Sequence, residues 1–167
     1  MSSAGAGRVT NVVVAGLGGQ GVIKASDILA DAAFRAGLDV KKAEIHGMSQ
    51  RGGSVTSDVR FGKEVLSPMV PHGEADFLLV IEPREIAVNR PMLRPGGLLI
   101  PPDAVDLARL PNKRSVNVAL LGALAAHLDI PRGLWIEAMK AALPERLHAV
   151  NEAAFELGLS AAKPRTA

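Results

Sequence analysis

Cysteine and tyrosine are absent from these 167 residues, and the aromatics amount to four Phe and one Trp. Without thiols the chain makes no disulfide, no thiolate zinc site and no iron–sulfur cluster on ligands of its own. That composition fits a reducing compartment. So few rings leave no stacking platform for bases, and no block or stripe of Lys and Arg is present, so nucleic acid is excluded as a partner. Charge is near balance, with 19 Lys plus Arg against 17 Asp plus Glu and a net of +2. The pI of 9.2 overstates the basicity. With neither Tyr nor Cys, almost nothing titrates between histidine and lysine, so a small surplus carries the pI upward. No run of about twenty apolar residues exists, so no membrane span is expected. The opening MSSAGAGRVT has no apolar signal core, and the expected location is the cytoplasm. Catalytic signatures are also missing. The histidines His46, His72, His127 and His148 are scattered without metal-binding spacing, there is no G-x-S-x-G elbow, and no lysine fits a P-loop.

What is present begins at VVVAGLGGQG, residues 12–21. An apolar strand, Asn11 to Ala15, runs into a turn holding Gly16, Gly18, Gly19 and Gly21, and a helix follows from Val22 to Ala36. Gly16, Gly18 and Gly21 have the G-x-G-x-x-G spacing, with the strand before and the helix after that the pattern requires. Glycines permit a tight turn and close approach to the main chain. The first N–H groups of the helix then favour an anion in front of them. In the helix, Ile23, Leu29, Ala30, Ala33 and Phe34 recur at helical spacing, Lys24 reads as solvated, and Gly37 sits at the C-cap. A second strand, Leu38 to Ile45, completes a βαβ unit.

The loop HGMSQRGGS, residues 46–54, leaves the carboxyl end of that second strand, the edge where ligands and partners bind in open α/β sheets. It is expected to share one crevice with the glycine turn. Ser54 to Phe61 alternates apolar and polar residues, as an antiparallel strand near an edge does, and Gly62-Lys63 suggests a hairpin into Glu64 to Ser67. Phe77 to Ile81 is a continuous apolar run and reads as a strand covered on both faces. A short helix to Asn89, a turn over Pro91 to Gly97 and a short strand, Leu98 to Ile100, follow. From Ser115 the chain is helical, first as a buried helix apolar nearly all round, in which Gly122 signals a close backbone contact. Further helices are expected at Leu134 to Leu143 and Glu145 to Leu157, the last capped by Gly158, with His148 on the surface. The expected fold is a single α/β, Rossmann-like three-layer domain over residues 9–158. It has a mostly parallel sheet, an antiparallel edge hairpin and a helical C-terminal part, flanked by an arm (1–8) and a tail (159–167).

Two functions fit these residues. A dinucleotide site would use the glycine turn and an acidic residue at the end of the second strand, where Glu44 stands. Alternatively the turn packs against another chain. Arg51 can clamp a carboxylate or phosphate in bidentate fashion, or cap carbonyls at an interface. No nucleophile and base pair is identifiable, so a binding or assembly role is as well supported as a free-standing enzyme. The alternatives are therefore an NAD(P)-dependent oxidoreductase and a nucleotide-sensing module.

Several segments taken together resemble the gamma subunit family of 2-oxoacid:acceptor (ferredoxin) oxidoreductases. They are GLGGQG with its helix, HGMSQRGGSVTSDVRFG, SPMVPHGEADFLLVIEP, NVALLGAL at Asn117 to Leu124, and NEAAF-x-x-G at Asn151 to Gly158. The resemblance runs from about Arg8 to Gly158, and the HGMSQRGG form is most similar to the indolepyruvate and aryl-2-oxoacid branch, where the subunit is sometimes called beta. It implies an accessory subunit of an enzyme that oxidatively decarboxylates a 2-oxo acid, of indolepyruvate or phenylglyoxylate type, to an acyl-coenzyme A. Thiamine diphosphate with Mg2+ and 4Fe–4S clusters would reside on partner chains, with coenzyme A as co-substrate at the interface. Carried onto this chain, Gly16, Gly18, Gly19, Gln20 and Gly21 form one loop facing the catalytic subunits and coenzyme A. Gln50, Arg51, Gly52, Gly53 and Ser54 form the other. No residue of this chain is expected to be catalytic or to bind metal. The chain is shorter than many members of that branch, which leaves open whether a C-terminal portion is missing.

Overall fold

The computed structural model describes residues 7–46 and 53–162. In chain order the elements are β1 (Thr10–Leu17), α1 (Val22–Arg35), β2 (Asp39–His46), β3 (Ser54–Gly62), β4 (Ala75–Val80), α2 (Glu85–Asn89), β5 (Leu93–Ile100), α3 (Val116–Ala125), α4 (Arg132–Ala142) and α5 (His148–Ala161). The two apolar runs become the sheet centre. Val12 to Val14 of β1 pair in parallel with Phe77 to Leu79 of β4, and all six are buried because both faces of the sheet are covered.

The sheet order is β2-β3-β1-β4-β5. β1 pairs with β3 antiparallel and with β4 in parallel, and β5 continues the parallel half. Four strands therefore run one way and β3 runs against them. β3 is antiparallel and near an edge, as its alternation implies, with only β2 outside it. It lies between β2 and β1, with Val59 opposite both Val12 and Lys42. The expected βαβ unit is thus split, with β3 inserted between its two strands. The expected hairpin into Glu64 to Ser67 does not form. Gly62 instead meets the incoming chain, where an added Cβ would lie 2.9 Å from the Arg8 carbonyl. The loop that follows is pinned by carboxylates: Asp39 accepts from Val65 N–H at 2.7 Å and Asp58 from Val70 N–H at 2.9 Å. β5 also starts earlier than expected, at Leu93. It tolerates the glycine pair because a bulge places four of its residues, 94–97, against Asp76 of β4 and Gly96 adopts φ +77°.

The faces are covered unequally. α1, α3, α4 and α5 pack on the side of Val12, Val14, Val59 and Leu79, forming the main core. α2 and the loop around Val70 cover Val13, Ala15, Leu78 and Val80 on the other. The inner stripe of α1 is Ala25, Ile28, Leu29, Ala32 and Ala33, with Phe34 facing outward at 69% exposure. The expected stripe, which included Phe34 and Ile23 and left out Ile28, is therefore rotated from the one observed. Gly37 does end α1, with φ +86° and its N–H on Phe34 O. Gly158 does not cap α5. It lies inside that helix, where a Cβ would sit 1.7 Å from Ala119 O, while a Cβ on Gly122 would sit 2.1 Å from Phe155 O. Each glycine admits the other helix's backbone. Three surface residues also make specific contacts. Arg8, expected in a loose arm, is tied to Asp76 at 2.5 Å. Lys24 donates to Ala142 O, and the His148 ring bonds to Lys140 O and Leu143 O, so both cap the end of α4. Among the described residues no helix is long and apolar enough to cross a membrane.

Candidate functional site

The carboxyl ends of β1, β2, β4 and β5 share one rim. There β1 ends in the glycine turn. Gly19 and Gly21 take φ of +85° and +83°, a region that favours glycine. Gly16 is required by packing, since a Cβ would lie 2.8 Å from the Val22 side chain. Gly21 is covered by α3: Asn117 Nδ2 donates to Gly21 O at 3.2 Å and would lie 2.3 Å from an added Cβ. Among the described residues a Cβ on Gly19 would meet nothing within 4 Å, so they leave the turn open to an incoming group there. The start of α1 carries no side-chain cap and no acidic residue in its first turn. Its free N–H groups retain their preference for an anion.

The second loop returns to this turn. Gly18 N–H donates to Gly53 O at 3.0 Å, and Ser54 stands opposite Leu17 in the ladder. Gly16, Gly18, Gly19, Gln20, Gly21, Gly53 and Ser54 are thus brought together. Gln50, Arg51 and Gly52 lie outside the described residues. Gln20 does not present a free side chain. Its Oε1 accepts from Leu17 N–H at 2.8 Å and its Nε2 donates to Glu82 Oε2 at 3.0 Å. Hydrogen bonds from Arg84 and then Gln20 hold the Glu82 carboxyl below the ordinary carboxylate range, so it stays ionised.

Beside the turn lies a cleft of about 960 Å³. Gly19, Gln20 and Gly21 form one wall, and Pro102, Leu107 and Leu110 form an apolar wall. Lys113 and Arg114 stand at the approach to α3, and Ile81 and Pro83 line the end of β4. The cleft offers apolar surface for a ring or chain and two cations for phosphate or carboxylate. Sequence reasoning singled out none of Glu82, Glu85, Asn117, Lys113 or Arg114. Two had a visible signal: Glu82 follows an apolar strand at the carboxyl edge, and Asn117 opens the NVALLGAL segment.

The dinucleotide arrangement is not reproduced. β3 separates β2 from β1, so Glu44 stands two strand spacings from the glycine turn, roughly 10 Å. Its carboxylate pairs with Lys42 at 2.6 Å. His46 and His72 are both exposed, but His46 ends β2 on the rim and His72 precedes β4 at the opposite edge. They do not form an acid–base pair.

Residues 11–111 match the family model described as pyruvate ferredoxin/flavodoxin oxidoreductase. The indolepyruvate oxidoreductase subunit IorB of Thermococcus kodakarensis is 37% identical over 193 aligned positions, covering 92% of this chain and 96% of that one. Those positions outnumber the residues of this chain they include, so the match contains gaps on this chain's side. The gamma subunit of a keto/oxoacid ferredoxin oxidoreductase from Geobacter sulfurreducens superposes with a TM-score of 0.78 at 22% identity, over 94% of this chain and 100% of that one. The 2-oxoglutarate:ferredoxin oxidoreductase of Magnetococcus marinus, solved with 2-oxoglutarate, coenzyme A and succinyl-CoA, gives a TM-score of 0.79 at 24% identity. It is matched over 96% of this chain and 32% of that one, so the fold recurs as part of a longer chain.

Proposed function

The chain belongs to the pyruvate ferredoxin/flavodoxin oxidoreductase family as a gamma-type accessory subunit, and from that premise we propose that its complex oxidatively decarboxylates an aryl 2-oxo acid of indolepyruvate type to an acyl-coenzyme A. The identity to the indolepyruvate subunit over nearly the whole chain supports the aryl substrate. Thiamine diphosphate with Mg2+ and 4Fe–4S clusters supply the decarboxylation and electron-transfer chemistry, and partner chains hold them. This chain has no cysteine to ligate a cluster. Among its described residues no three His, Asp or Glu side chains gather as a metal site. We place the complex in the cytoplasm.

The work of this chain is to dock and to grip. The single observation that carries the reading is the rim itself, with the glycine turn, Gly53 and a cleft bearing Lys113 and Arg114 all at the carboxyl edge. The open face at Gly19 suits close approach of another backbone or of a phosphate. The cleft suits coenzyme A, whose phosphates match Lys113 and Arg114 and whose ring and pantetheine arm match Leu107, Leu110 and Pro102. Gln50 and Arg51 stand three and two positions before Gly53 in the sequence, and we assign them to the same function.

Purification of the chain from its native source tests this assignment. Cysteine-rich and thiamine-binding chains should elute with it, carrying iron and thiamine. Elution of the chain alone, without either, rejects it. In the assembled complex, Lys113→Ala with Arg114→Ala should raise the KM for coenzyme A several-fold, with a larger effect at low ionic strength. An unchanged KM removes the cleft from the proposal.

A further inference from the structure

Glu82, in the turn between β4 and α2, and Glu85, the first residue of α2, touch the glycine turn and the start of β3. On one side Glu82 Oε2 accepts from Gln20 Nε2 at 3.0 Å, and Gln20 in turn accepts from the Leu17 N–H. On the other side Glu85 Oε1 accepts from Ser54 Oγ at 2.7 Å. Glu85 is only 7% exposed, and Asn89 Nδ2 donates to its Oε2 at 3.3 Å and to its carbonyl at 2.8 Å, which fixes the rotamer. Between the two, Gly18 N–H closes on Gly53 O. Two acidic side chains three positions apart thus hold the glycine turn and the start of β3, which are distant in sequence.

We propose that Glu82 and Glu85 are positioning residues that clasp the glycine turn and the Gly53-Ser54 entry to β3 in register and so set the shape of the docking and coenzyme A rim. The inference rests on the gamma-subunit reading for its consequence, though not for its geometry. Glycine turns have the most backbone freedom to lose, and their residues bring no side chains to restrain them. Restraint from outside removes that entropy cost before a partner arrives. Carboxylates suit the task because they accept on two oxygens and donate nothing. Glu82 serves Gln20 and Arg84 together, and Glu85 serves Ser54 and Asn89. Bonds to an ionised acceptor are also roughly twice as strong as neutral ones.

Two measurements test the clasp. In the isolated full chain, Glu82→Ala should speed hydrogen exchange at the Leu17 and Gly18 amides by about tenfold, the scale of one charged hydrogen bond, with β4 amides unchanged. Glu82→Gln, which keeps an acceptor for Gln20, should restore protection. In the complex with its thiamine and iron–sulfur partners, assayed with indolepyruvate and coenzyme A, Glu82→Ala and Glu85→Ala should each raise the coenzyme A KM on the order of tenfold. kcat at saturating coenzyme A should hold within about twofold, since neither residue touches the reacting atoms. Glu82→Ala combined with Gln20→Ala should be no worse than the poorer single variant. If Glu85→Ala does not fold, Ser54→Ala breaks the same contact from the loop side and should raise KM alike. Unchanged exchange and unchanged KM overturn the clasp, as do additive losses in the Glu82 and Gln20 pair. A wild-type chain that joins no partner overturns the subunit reading alone, and the exchange result still decides the clasp.

Discussion

At the scale of single residues, burial and partner supply decide behaviour more than residue type does. Asp58 is 2% exposed on β3, and burial pushes its carboxyl above the ordinary range even though Val70 N–H and Arg60 oppose the shift. The folded state therefore binds this proton more tightly than the unfolded chain, whose value is near 3.8. The contribution of this group to stability is most favourable below that value and declines as pH rises through the window just above it. Asp58→Asn keeps an oxygen for Val70 and removes the charge. Urea unfolding at several pH values should show the stability difference moving in favour of the Asn variant as pH rises from about 4 towards 7. A difference that does not vary with pH would mean burial does not govern this carboxyl. The sequence marked Asp58 only as a residue on the polar side of an alternating strand, because alternation reports a face and not what covers it. Gly21 was legible as a turn glycine, but the need for it is set by Asn117, ninety-six positions away.

At the scale of elements, periodicity located nearly every helix and strand, and the errors have a common cause. In α3 the absence of a polar side correctly signalled burial on all sides, and Gly122 signalled a backbone contact. The partner of that contact is α5, where Gly158 lies mid-helix and not at the end. Seen from one chain segment, a glycine near the end of an apolar pattern looks like a cap. Only the crossing of two helices shows that it is a packing site. Gly158→Ala should cost about 1–3 kcal/mol as overpacking, read as a melting temperature lowered by several degrees. Ala153→Gly, on the same helix away from that crossing, should cost about 1 kcal/mol or less through propensity alone. Equal losses in the two variants would remove the interlock as the cause. In α1 the turn and C-cap were legible from Gly21 and Gly37. The inner stripe was misassigned because Phe34 is more hydrophobic than the alanines that face the core.

At the scale of the whole molecule, strand order separates this protein from a dinucleotide-binding enzyme with the same glycine spacing. In such an enzyme the second strand lies beside the first and brings its terminal acid to the ribose. Here β3 occupies that place, and Glu44 is moved outward and paired with Lys42. Titration of the isolated chain with NADH should show no saturable binding at micromolar concentrations. Tight binding abolished by Glu44→Ala would overturn the argument from sheet order. The same order gives β1 an antiparallel neighbour whose entry, Gly53-Ser54, is delivered to the glycine turn.

The residue pattern by itself determined the α/β class, the strand–turn–helix at Gly16 to Gly21, the two central strands and the absence of thiol chemistry. These depend on local backbone preference, on short-range periodicity or on composition, all of which a linear chain carries in full. Tertiary structure alone decided that β3 inserts beside β1, that Gly158 meets Ala119, that Gln20 is held by Glu82, and that Lys113 and Arg114 reach the cleft. Each of these joins residues far apart in the chain, and such contacts exist only once packing has chosen one arrangement among many with equal local merit.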